Sequence, residues 1–315
     1  MNGAQRQPLS GGRWHFHHGP IDCVIGADGE PAVLAQSLEA AWTRFQGVLT
    51  ELVAELTLLR TNLAPEPGHE LAVQGPIARR MVAACRAYAA QALFITPMAA
   101  VAGSVAQELI ASFMRPGVRR AYVNNGGDIA LHLAPGESFD VGLVIDPDAD
   151  PDAAVRGIDG HFRIEAGSGV RGVATSGWRG RSLSLGIADS VTVLAASAAM
   201  ADAAATMIAN AVNVDDVRIV RAAANAVRDD SDLGELPVTV DVPALEPGAV
   251  ARALAAGARV AERELAAGRI AGAALCLQGQ LVRCPARGFH PSPPVSASPI
   301  LGPMPQPQRV ALAGA

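Results

Sequence analysis

Asp202 and Thr206 are the pair in this chain best suited to holding a hard cation, because oxygen donors at i and i+4 stack on one face of a helix, one turn apart. The surrounding run, 198–209, is alanine- and methionine-rich and apolar nearly all round, which is the pattern of a buried helix. A carboxylate there is costly unless it is paired, hydrogen-bonded or bound to a metal. A second reading stands beside this one: Asp202 caps the helix N-terminus and Thr206 bonds back to its own helix.

Two upstream stretches offer complementary chemistry. Asn124, Asn125, Gly126, Gly127 and Asp128 lie between β-type runs at 121–124 and 129–133. Asn and Gly tolerate left-handed backbone, so a tight turn with exposed N–H groups is expected, and Asp128 is placed to ligate a metal or a hydroxyl; a plain hairpin turn is the alternative. Residues 174–177, Ala-Thr-Ser-Gly, form a polar turn ahead of a β-type run at 190–194.

Other candidates read more simply. Strand alternation puts His15 and His17 on one face, but no carboxylate or cysteine neighbours them at ligand spacing, so these and His18 read as surface or rim histidines. Arg79, Arg80 and Arg86 read as a solvated helix face. Thr96 is expected to cap a helix opening at Pro97, whose small apolar residues let a backbone or a flat ligand approach closely. The Asp-rich stretch at 146–152 lacks the glycine and terminal glutamate of a calcium loop and reads as a solvated connector.

The elements that must position these residues follow from periodicity. A hairpin is expected from 14–18 and 21–25 around Gly19-Pro20, and helices at 31–63, 76–92, 97–115, 198–212 and 247–268, the last with Arg252, Arg259, Glu262 and Glu264 outward. Strands are expected at 139–145, 161–166, 217–220 and 237–240, with a closing hairpin at 273–282 broken by Gln278-Gly279-Gln280. Residues 1–285 read as one globular unit of α+β class, with mixed or antiparallel sheets covered by helices, and residues 286–315 as a Pro/Ser-rich tail that cannot build a core.

Composition narrows the function. A chain of 315 residues, 50% hydrophobic and 17% charged, folds around a real core without staples. A net charge of -5 with no Lys/Arg cluster gives no footprint for nucleic acid or a membrane surface. The four cysteines form no C-x-x-C pair and read as reduced thiols, and with no signal-type or membrane-length apolar run the expected compartment is the cytoplasm.

Four motifs in order carry a family resemblance: Val-Asn-Asn-Gly-Gly-Asp-Ile at 123–129, Ala-Thr-Ser-Gly at 174–177, Ser-Val-Thr-Val at 190–193 and Ala-Asp-Ala-x-x-Thr at 201–206. Together, across roughly 95–212, they resemble the ApbE superfamily of magnesium-dependent flavin transferases, which take FMN from FAD and attach it to a threonine or serine of a target protein. The helix opening PMAAVAGSVAQ and the compact length are similar to the uncharacterised UPF branch of that superfamily.

The resemblance implies an ApbE-like, T-fold-related α/β sandwich. It implies Asp202 and Thr206 as Mg2+ ligands, Thr175, Ser176 and Gly177 as a wall of the nucleotide site, and Asn125, Gly126, Gly127 and Asp128 as a loop beside it. The implied cofactors are Mg2+ and FAD or FMN, and no catalytic side chain is assigned. One departure matters: flavin transferases carry a histidine and an Asp-Pro-x-Thr-Gly segment between the second and third motifs, whereas here WRGRSLSLGIAD fills that interval. The expected function is Mg2+-dependent binding of a flavin or related phosphate-bearing nucleotide, with phosphoryl or FMN transfer as the implied reaction. The alternative is a non-catalytic binding or assembly protein that kept the fold. The acceptor protein is unidentified, and small-residue helix faces allow a homodimer.

Overall fold

Alternating apolar residues build the first strands. In a computed structural model, which describes residues 3–64, 71–91, 93–142, 161–180 and 182–285, β1 (Gln5–Pro8), β2 (Trp14–His18) and β3 (Ile21–Gly29) form a meander that turns at Gly19. Phe16, Ile21, Cys23 and Ile25 point to one face and are buried. The Asp-rich connector at 146–152 and the tail at 286–315 lie outside the described residues.

Helices α1 (Pro31–Ala54), α2 (Leu56–Leu59) and α3 (Pro76–Ala89) follow; a 3-10 turn at Pro97–Ala100 then leads into α4 (Val101–Ile110). Prolines open α1, α3 and the 3-10 turn, where their fixed φ suits the first turn and no N–H is missed. The single helix expected over 31–63 is interrupted at Glu55, whose φ of -110° and ψ of 8° leave the helical region. Its carboxylate instead accepts from the N–H groups of Gln74 and Gly75, both at 2.6 Å, and so secures the entry to α3.

The chain continues through β4 (Val118–Asn125), β5 (Asp128–Leu133), β6 (Ser138–Gly142), β7 (His161–Glu165), β8 (Gly172–Ser176) and β9 (Ser190–Ala195). Next come α5 (Ala198–Ala211), β10 (Val220–Ala223), α6 (Ala224–Val227), β11 (Pro237–Asp241), α7 (Pro247–Ala266), β12 (Gly272–Leu277) and β13 (Gln280–Pro285). The strand expected at 217–220 begins only at Val220, and Val217 is 100% exposed.

Nine strands form one sheet in the order β1-β2-β3-β4-β5-β8-β9-β12-β13, and each neighbouring pair is antiparallel. Its inner face, with Phe16, Val123, Ala130, Val193 and Leu275, packs under Phe45, Ile77, Leu109, Ile208 and Leu254 of the helices. Its outer face, with Tyr122, Leu131, Val173 and Leu194, is covered by Phe139 and Ile164 of the β6–β7 hairpin. The result is an α+β layered fold with an antiparallel sheet. Among the described residues, no helix is long and apolar enough to cross a membrane.

Candidate functional site

Asp202 does not cap its helix. Ser197 does, its hydroxyl accepting from Met200 N at 3.4 Å, so Asp202 lies beyond the first turn of α5 and meets α4 instead. Its Oδ2 accepts from Gly103 N at 2.9 Å. Such proximity requires a glycine: a Cβ at position 103 would lie 2.3 Å from the Ala198 carbonyl oxygen and 2.9 Å from Asp202 Cβ. The small residues of α4 therefore serve helix approach here, and the approach places a backbone donor on the acid.

Asp128 arrives from the sheet. Gly126 and Gly127, at φ of 66° and 113°, form a two-residue turn between Asn125 and Asp128, and Asn124 Oδ1 accepts from Gly127 N at 2.9 Å. Nothing would meet a Cβ on Gly127 within 4 Å, so the turn is open on that side. Asn125 anchors it: Oδ1 accepts from Asp22 N at 3.3 Å, and Nδ2 donates to the Ala102 carbonyl at 3.2 Å. Strand β5 pairs with β8 only at Ile129↔Val173 and Ala130↔Gly172, and past that point Asp128 Oδ1 takes Thr175 N at 3.3 Å.

The two carboxylates interact. Burial and the negative charge of Asp128 push the pKa of Asp202 well above the usual carboxylate range, against the opposing pull of the Gly103 and Ala102 N–H groups. Asp202 and Thr206 both keep part of their surface open to solvent, while Asp128 is 8% exposed. Asp128 and Asp202 offer hard oxygens of the kind Mg2+ takes, and Thr206 follows Asp202 by one turn on α5. Among the described residues there is no ready group of three His, Cys, Asp or Glu side chains for a metal, so a cation here would also take oxygens from water or a ligand phosphate.

The Ala-Thr-Ser-Gly stretch is divided between the faces. Thr175 N–H supports Asp128, but the Thr175 hydroxyl contacts Thr192 Oγ1 at 2.9 Å, on the face that Val173 and Leu194 share. Ser176, the next residue, points to the inner face by alternation. Gly177 packs on the backbone at 188–189, where a Cβ would lie 2.3 Å from the Asp189 carbonyl oxygen. Asp189 is a hub that sequence reading left without a role: Oδ1 accepts from Trp178 Nε1 at 3.2 Å and Arg179 Nε at 3.0 Å, and Oδ2 from Gln278 N.

Several sequence expectations change. Strand pairing brings Asp22 to His15, with Oδ1 at 2.9 Å from Nε2, so a carboxylate does neighbour His15. Arg80 is not simply solvated, since it contacts Ser104 O and Glu108. Thr96 gives its hydroxyl to Asp232 rather than to a cap. Glu264, expected outward, is 1% exposed and pairs with Arg269.

A family model described as "AbpE bacteria" matches residues 5–283. A UPF0280 protein of Methanothermobacter thermautotrophicus is 40% identical over 149 residues, 47% of this chain and 53% of that protein. The chain thus spans about half the length of that relative. A UPF0280 protein of Methanothrix thermoacetophila is 32% identical over 201 residues, 63% of this chain and 76% of that protein. Among solved structures, a mutant of the flavin transferase ApbE from Vibrio cholerae aligns with a TM-score of 0.44 and 14% identity, covering 91% of this chain and 97% of that one.

Proposed function

Because this chain belongs to the family described as AbpE bacteria, together with the UPF0280 proteins, we propose that the corner between α4, the β4–β5 turn and α5 binds Mg2+ with a flavin or a related phosphate-bearing nucleotide. One observation carries this reading: adjacent residues of α4 fasten both elements, the Ala102 carbonyl accepting from Asn125 at the turn that carries Asp128 and Gly103 N donating to Asp202, so that the negative charge of Asp128 raises the pKa of Asp202. Like charges gathered in a partly open corner are unfavourable in the free protein and become favourable around a divalent cation. In this reading Asp202 and Thr206 hold the cation and Asp128 faces it. The loops with Asn125, Gly126 and Gly127, and with Thr175, Ser176 and Gly177, flank the nucleotide. Bound there, the cation would supply charge neutralisation at a phosphate. The protein's own part is to fix the carboxylates and align N–H donors.

A second reading has its own support. The interval where flavin transferases carry a histidine is organised here by Asp189, whose oxygens are occupied by Trp178, Arg179 and Gln278, an arrangement that braces a loop rather than moves a proton. That favours binding without transfer.

The test is a titration with FAD and FMN, with and without Mg2+, followed by flavin fluorescence, in the native protein and in Asp202→Ala. Mg2+-dependent binding that weakens by about tenfold or more in the variant is the expected result. Binding indifferent to both Mg2+ and the substitution, or no binding of either flavin, overturns the proposal. Release of AMP from FAD then separates a transferase from a binding protein.

A further inference from the structure

We propose that Arg80 is a positioning residue for this corner, acting through the first turn of α4; the inference rests on the reading of the corner as a cation site. Three consecutive residues of that turn each fasten a different element. The Ala102 carbonyl accepts from Asn125 Nδ2 at 3.2 Å, Gly103 N donates to Asp202 Oδ2 at 2.9 Å, and the Ser104 carbonyl accepts from Arg80 Nη1 at 3.1 Å. The turn carrying Asp128, the helix carrying Asp202 and the helix carrying Arg80 are thereby referenced to one short piece of backbone. A displacement of this piece changes the distance between the two carboxylates.

Arg80 is well built to prevent such a displacement. Its second arm, Nη2, reaches Glu108 Oε2 at 2.9 Å, so one planar guanidinium grips α4 at positions 104 and 108, one turn apart. Glu108 is held in turn, its Oε1 accepting from Arg44 Nε at 2.7 Å, while Arg44 Nη2 reaches Glu51 Oε2 at 2.7 Å. The alternating series Arg80, Glu108, Arg44 and Glu51 crosses from α3 through α4 to α1, with all four side chains half-buried. Where the solvent is partly excluded and the fork is satisfied at both arms, such contacts fix geometry rather than fluctuate. In the other direction, Gly103 seats α4 directly on α5, so the position set by Arg80 passes to Asp202 without slack. Arg80 donates to the Ser104 carbonyl and to Glu108, and so acts on Asp202 through α4.

The experiment compares Arg80→Met and Arg80→Lys with Glu51→Gln, which opens the far end of the same series without touching α4. The readouts are Mn2+ affinity by electron paramagnetic resonance, hydrogen–deuterium exchange of peptides spanning 99–106 in metal-free protein, and the melting temperature. R80M is expected to weaken Mn2+ binding by about tenfold and to speed exchange at 99–106 by a similar factor. R80K, which keeps the charge but loses the two-armed grip, falls between. E51Q, two contacts further from α4, is expected to lower the melting temperature and to change Mn2+ affinity and exchange at 99–106 less than R80K does. If R80M does not fold, the contrast between R80K and E51Q decides the matter by the same readouts. Equal effects of the Arg80 variants and E51Q on Mn2+ affinity, or none from either Arg80 variant, overturn the positioning role alone. Failure of the native protein to bind Mn2+ overturns the cation corner itself.

Discussion

Asp202 is placed where its charge opposes the fold. Burial and Asp128 raise its pKa, and the Gly103 and Ala102 N–H groups only partly offset them. In the unfolded chain an aspartate titrates near its ordinary value of about 3.9. Between that value and the raised folded one, the folded state holds the extra proton, so stability falls as pH rises through this window and stays lower above it. Asp202→Asn removes the charge and keeps an oxygen for Gly103 N–H. In metal-free buffer at pH 8 the variant should be more stable than the native protein by about 1–2 kcal/mol, a gap that closes toward pH 4. Urea midpoints at the two pH values measure it, and equal midpoints at pH 8 would mean that the charge carries no such penalty. Part of this was legible beforehand: a lone acid in an apolar, alanine-rich helix must find partners. Which partners it found was not, because Gly103 lies 99 residues away and Asp128 depends on how the sheet meets α5.

Helices α4 and α5 show at the next scale why spacing located the site but not its construction. Alanine-rich periodicity marked α5 almost to its ends, and the Asn-Gly-Gly-Asp signal marked the turn before β5. Periodicity could not say that Gly103 is a contact point, since that follows from the crossing of two helices and not from either alone. Gly103→Ala is expected to destabilise by about 2 kcal/mol or more, because the added methyl meets backbone that cannot rotate away. Circular dichroism melts test this, and a melting temperature equal to the native one would show that α4 and α5 separate without cost. The cap is a milder case: Ser197→Ala should cost about 1 kcal/mol. Asp202 was a plausible cap by residue type, but the cap belongs to the residue preceding the first helical N–H groups, and with the helix beginning at Ala198, where periodicity also put it, that residue is Ser197. Glu55 and Glu264 escaped for a related reason. Each is an acid whose partners lie outside its own helical run, Gln74 and Gly75 in one case and Arg269 and Tyr88 in the other, so periodicity gave neither the break at Glu55 in the helix expected over 31–63 nor the burial of Glu264 on α7.

Across the whole molecule, ionisable groups pull on stability in opposite directions. Burial would raise Glu108 and Glu264, but hydrogen bonds from Arg44 and Arg80, and from Arg269, outweigh it and hold both carboxyls below their ordinary pKa. Their stabilisation is present above the unfolded carboxylate value and is lost as pH falls through the folded one. Glu264, buried between α7 and α3, depends on its arginine, and Arg269→Met should cost about 3 kcal/mol by leaving that charge without its cation. Asp202 has the reverse sign, since its penalty begins where theirs has ended. Metal-free protein should therefore be most stable in a mildly acidic window, losing stability on the acid side through the two glutamates and on the alkaline side through Asp202. A cation that binds only the folded state and prefers ionised Asp202 stabilises by mass action where the penalty lies. Unfolding midpoints across about pH 2–9 should then show a flattened alkaline limb in millimolar Mg2+ and an unchanged acid limb, and Asp202→Asn should flatten the alkaline limb with no Mg2+ present. An alkaline limb that ignores Mg2+ but responds to the substitution would place the raised acid here and the cation elsewhere.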